Sequence, residues 1–158
     1  MKEPNMLSPK KTAVILGLLL QFLLSIAGAA DKTYVGSKAC SECHEAEYGR
    51  FVKFAKKSHS FRSIEKLQDG LTLEELRQCY GCHTTGYGKP GGFVSVDKTP
   101  ELMNAGCEVC HGPGSVHVES GDPDDIEARL DIKDCMVCHT AERVAAFSFK
   151  PLIHSGAH

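Results

Sequence analysis

Tryptophan is absent from the 158-residue chain, and methionine occurs four times. Large aliphatic and aromatic side chains are scarce: Val, Ile, Leu and Phe make up 26 of the 128 residues that follow position 30. That is about 20%, the composition at which chains usually fail to fold. Such a chain cannot easily bury enough surface to offset roughly 1–2 kcal/mol of backbone entropy per ordered residue, so an ordinary side-chain core is excluded. An excess of basic charge is also missing. Lys and Arg number 18 against 20 Asp and Glu, which leaves no nucleic-acid footprint. Beyond position 30 no apolar run approaches the roughly 20 residues that a membrane-spanning helix needs.

The one long apolar run lies at the start. Lys2, Lys10 and Lys11 precede Ala13–Ile26, and Ala27-Gly28-Ala29-Ala30 follows. This is the three-part layout of a secretory signal, with cleavage expected after Ala29 or Ala30. Residues 1–30 are therefore expected to be a leader and 31–158 one domain, periplasmic or extracellular, with no stable membrane insertion once the leader is removed. From position 31 onward the formal charge is −4, from 15 basic and 19 acidic residues. Lys53, Lys56, Lys57 and Arg62 gather around His59, either as a solvated helix face or as a docking patch.

Cysteine is the residue present in excess. All eight fall in C-x-x-C-H units: Cys40/Cys43/His44, Cys79/Cys82/His83, Cys107/Cys110/His111 and Cys135/Cys138/His139. On one helical turn the two thiols project from the same side and the following histidine lies one residue further round. That spacing suits two thioether bonds to a haem and one axial ligand to its iron, the signature of c-type haem attachment. Disulfides need no histidine after each second cysteine. Zinc ribbons would leave four histidines unused, and a thioredoxin-like motif would occur once, beside a βαβ pattern that is missing. The composition is then expected to be completed by four covalently bound haem c groups, which would form the core that the side chains cannot.

Four histidines remain for four irons: His59, His117, His154 and His158. Methionine competes poorly, since only Met103 and Met136 lie beyond the leader and Met136 sits inside a C-x-x-C loop. The six-residue reach from His111 to His117 includes a Gly-Pro-Gly-Ser turn, so His117 is expected to serve a haem other than that of its own unit. His158 is the chain's last residue, where fraying is the default.

The fold class expected is mainly α with long irregular loops and little or no sheet. Tyr48, Phe51, Val52, Ala55 and His59 keep helical spacing, which predicts a helix over Ser37–His59. Thr72-Leu-Glu-Glu75 reads as a capping box opening a helix that runs into the second unit. Gly86–Pro100 is expected to be loop, with at most a short strand at Phe93–Val96, and a short helix is predicted at Asp125–Leu130. Residues 141–158 carry no clear pattern.

These residues together resemble the tetrahaem cytochrome c-554 family. The likeness is carried by Tyr34–His44, Ser58-His59-Ser-Phe61, Cys79–Tyr87, Gly106–Ser115 with His117, Ala128–Cys135, and Phe147-Ser-Phe149 followed by His154. The resemblance implies a mostly helical fold around stacked haems, with His59, His117 and His154 as distal ligands of three bis-histidine irons. It also implies a five-coordinate second haem, on Cys79, Cys82 and His83. The chain departs from that pattern in being shorter and in ending on His158. The function expected is electron transfer with redox proteins: quinol-linked or other cytochromes, or an oxidoreductase donor such as the hydroxylamine oxidoreductase that serves members of that family. Two other readings are a nitrogen-oxide reductase working at the second haem and a subunit of an extracellular haem filament. The protein is expected to be a monomer or a haem-linked oligomer.

Overall fold

The computed structural model describes residues 31–140. The leader, His154, His158 and the Phe147–Phe149 segment lie outside the described residues. Among the described residues there are short helices, 3₁₀ turns and loops, with no strand. In chain order the helices are α1 (Ser37–Cys40), α2 (Glu45–Phe54), α3 (Arg62–Glu65), α4 (Leu73–His83), α5 (Glu108–His111), α6 (Ser115–Ser120) and α7 (Ile132–Met136).

The longest helix, α4, starts where the sequence pattern places it. Thr72 Oγ1 accepts from the Glu75 N–H at 3.3 Å, and the Glu75 carboxylate accepts in turn from the Thr72 N–H at 2.8 Å. The helix carries the second unit on its last turn and stops at Thr84, which is extended and buried. α7 opens the same way, with Asp131 and Asp134 as the reciprocal caps, and delivers Cys135. Two of the four units thus ride on helices whose starts are fixed by side-chain hydrogen bonds.

Two expectations fail here, and the loop over Gly86–Pro100 lacks the short strand allowed for it. The predicted Ser37–His59 helix is broken into α1, α2 and a 3₁₀ turn, Lys56–His59. It turns at 41–44, inside the first cysteine unit, and again at Ala55, whose ψ of 117° is extended. Ala55 is buried, and its carbonyl accepts from the Ser58 hydroxyl at 2.8 Å, so a local side-chain bond competes with the helix ladder. Phe93–Val96 forms no strand. Phe93 N–H reaches the Thr85 carbonyl, but Val94 N–H turns to the Thr99 hydroxyl, and a run this short finds no partner strand. Asp125–Leu130 is not a helix either. A 3₁₀ turn covers Pro123–Asp125, after which the Glu127 N–H bonds to the His111 carbonyl and not to its own chain.

Most of the larger buried apolar side chains gather in one place. Phe61, Ile64, Phe93 and Leu102 form a cluster against which Tyr34, Leu76, Cys79, Tyr80, Tyr87 and Met103 pack. Tyr80, between the two cysteines of the second unit, meets Tyr87 and Phe93 edge-on at 5.3 Å each and lies parallel to Phe61 at 6.2 Å. The Gly86 turn packs so closely on this cluster that a Cβ there would lie 2.6 Å from the Tyr34 ring. With φ of 69°, Gly86 also holds a left-handed conformation that other residues resist. The expectation that side chains contribute no core is therefore corrected for the second unit, which has one of its own.

Candidate functional site

Two histidines of the cysteine units, and one outside them, are held by backbone carbonyls. His83, at the end of α4, is half-buried, and its Nδ1 donates to the Ser60 carbonyl at 3.0 Å. Ser60 Oγ donates back to the His83 carbonyl at 2.7 Å and accepts from the Ala105 N–H, locking the second unit to two distant segments. His111 Nδ1 donates to the Glu127 carbonyl at 2.6 Å. His117, on α6, donates from Nδ1 to the Asp122 carbonyl at 2.8 Å. An imidazole that spends its Nδ1 proton on a carbonyl presents Nε2 as a lone pair, the form in which histidine binds a metal.

The His117 ring faces His44, the histidine of the first unit. Their centres are 6.2 Å apart and their planes differ by 24°. Two metal–nitrogen bonds of about 2 Å, with about 1 Å from each nitrogen to its ring centre, require about 6 Å. The separation is compatible with the two rings flanking a single metal atom. His117 thus lies beside the first cysteine unit. The helix α6 that carries it went unread in the sequence, where Gly-Pro-Gly-Ser signalled only a turn.

The units lie against one another. Cys40 of the first unit and Cys107 of the third are near enough to perturb each other's ionisation. Cys40 pulls the Cys107 thiol down to about 6, with help from the Ser37 hydroxyl and His111 and against the effect of burial. Cys40 is pushed up by Cys107 and by burial. Burial raises Cys135, and Cys110 of the third unit adds to the rise through its charge. Lys57 acts on both Cys135 and His139, whose ring is shifted down first by burial and then by that ammonium. The Lys56–His59 turn therefore lies beside the fourth unit, and His59 is exposed at its end.

The match to known proteins follows the same residues. A family model described as cytochrome c554 and c-prime covers residues 39–112. Cytochrome c-554 of Nitrosomonas europaea is 31% identical over 118 residues, 66% of this chain and 50% of that protein. Over these residues the chain resembles the cytochrome c-554 family. The likeness implies covalently bound haem c, in agreement with the C-x-x-C-H spacing. The chain spans about half the length of its curated relative. In fold it is similar to the reduced state of cytochrome c554 from Nitrosomonas europaea, with a TM-score of 0.57, 22% identity, and coverage of 82% of this chain and 86% of that one. The mainly helical, strand-poor reading of the sequence agrees with that fold.

One residue of this region was missed by the sequence reading. Glu108, inside the third C-x-x-C loop, is 2% exposed, although a glutamate at such a position ordinarily faces water. Its carboxylate accepts from the Val35 N–H (3.0 and 3.2 Å), the Gly36 N–H (2.8 Å) and the Gly114 N–H (2.8 Å). Around it Thr33 and Ser115 exchange two hydrogen bonds, and Lys32 pairs with Asp125 at 3.9 Å. The first described residues are thereby fastened to the third unit.

Proposed function

We propose that the protein is an exported electron carrier holding four haem c groups, each tethered by one C-x-x-C-H unit. Haem c, when bound, supplies one-electron exchange between ferric and ferrous iron. The chain supplies everything that positions it. Cys40, Cys43, Cys79, Cys82, Cys107, Cys110, Cys135 and Cys138 tether the rings. His44, His83, His111 and His139 stand as proximal ligands, and His59, His117 and His154 as distal ones, with His158 as a further candidate. The observation that carries this reading is the iron-sized separation between His44 and His117, with the His117 proton held away on the Asp122 carbonyl. The proximity of Cys40 and Cys107, and the reach of Cys110 and Lys57 to Cys135, support closely spaced groups between which electrons pass. Paired histidine ligands keep potentials lower than a His/Met pair would. The partners proposed are redox proteins, quinol-linked or other cytochromes, in the periplasm.

Redox-titrated spectroscopy on protein matured in a host with cytochrome c assembly machinery tests the proposal. Four haems by mass and three low-spin bis-histidine irons are expected. Fewer than four haems, or zinc in their place, would refute it. A high-spin second iron that binds and turns over a nitrogen oxide would move the protein from carrier to reductase.

A further inference from the structure

The Glu108 carboxylate is buried, and among the described residues no ion pair reaches it. Its three backbone donors stabilise a negative charge through their dipoles without cancelling it. It sits next to Cys107 in sequence and three residues before His111, on the short helix α5 that opens the third unit. Its field also reaches the first unit, where it contributes to raising the Cys40 thiol. Exposed carboxylates elsewhere are screened by water, but a charge 2% exposed acts on its neighbours at low effective dielectric.

We propose that Glu108 is a redox-positioning residue, whose buried unpaired carboxylate favours the ferric state of the haem tethered by Cys107 and Cys110 and so holds its potential down. The inference rests on the tetrahaem reading given above. It differs from a merely structural role, which the same carboxylate also fills by clamping residues 33–36. A structural residue need not be charged in order to clamp, whereas the potential responds to charge. Asp124 and Asp125, outside the clamp and closer to water, cannot substitute for it.

The test is a redox titration of the full-length holoprotein, resolved for the third-unit haem, in wild type, Glu108→Gln and Glu108→Asp. At the wild-type midpoint of that haem, Glu108→Gln is expected to raise the ferrous-to-ferric ratio about tenfold, which for a one-electron couple is about 59 mV. Glu108→Asp keeps the charge and is expected to stay within about threefold of wild type. A change under about twofold in the Gln variant, with haem content intact, would overturn the proposal. Should the Gln variant fail to mature, the uncharged Glu108→Asn and Glu108→Ser take its place, with the same tenfold expectation and the same twofold limit. A tenfold shift toward ferrous in the charge-conserving Asp variant would assign the effect to packing and overturn the proposal. Loss of haem from the third unit of the wild type would instead refute the tetrahaem reading, and mass analysis separates the two failures.

Discussion

At the scale of single residues, the chemistry depends on which nitrogen of each imidazole is free. Carbonyls of Ser60, Glu127 and Asp122 take the Nδ1 protons of His83, His111 and His117, and none of these acceptors is a side chain. Backbone acceptors cannot be removed by substitution, so the ring orientation is protected against most mutations. The ligand itself is not. His117→Ala is expected to leave haem mass unchanged, since all eight cysteines remain, while converting one low-spin iron to high-spin in the electronic or paramagnetic spectrum. An unaltered low-spin count would remove His117 from the ligand set. The eight cysteines and their histidines were legible because attachment requires a fixed spacing. The Nδ1 acceptors were not, because a backbone carbonyl carries no side-chain signal. Glu108 was missed for a related reason: composition marks glutamate as a surface residue, and only the folded backbone brings three N–H groups to it.

At the scale of elements, capping explains where helices begin. Thr72→Ala should lower stability by about 1 kcal/mol, readable as a fall in melting temperature. Glu75, the other half of the box, has its carboxyl held below the usual range by hydrogen bonds from the Thr72 backbone and hydroxyl. A depressed folded value means that its contribution is present above the unfolded carboxyl range, near 4.3, and is lost as pH falls through the lower folded value. The melting difference between wild type and Glu75→Gln should therefore be visible at pH 7, begin to shrink once the pH falls below the unfolded carboxyl range, and vanish only below the lower folded value. A difference that grew on acidification would contradict the hydrogen-bonded carboxylate. α4 was readable from sequence because its cap is local. The break at Ala55 was not, since Tyr48, Phe51, Val52, Ala55 and His59 keep a helical period straight through it while the Ser58 hydroxyl ends the helix. The segment after Pro123 failed for the opposite reason, because its backbone groups serve His111 across the chain and not one another.

At the scale of the whole molecule, the largest buried apolar cluster among the described residues is the aromatic one by the second unit. The remaining units have no comparable buried apolar set among the described residues. Protein produced without haem attachment is accordingly expected to lose most of its helical circular dichroism and its cooperative melt, with aromatic contacts near Tyr80 the last to go. A haem-free chain that melts cooperatively would show that the side chains suffice. The Glu108 clamp adds a matter of timing. Its donors at Val35 and Gly36 stand 73 and 72 residues before the carboxylate that receives them. A ribosome delivers the donors long before their acceptor exists, and closing so long a loop carries an entropic cost that local helices do not bear. The clamp therefore cannot close before the first two cysteine units have emerged, and until it does the segment leading into the first unit stays open to the machinery that must reach it.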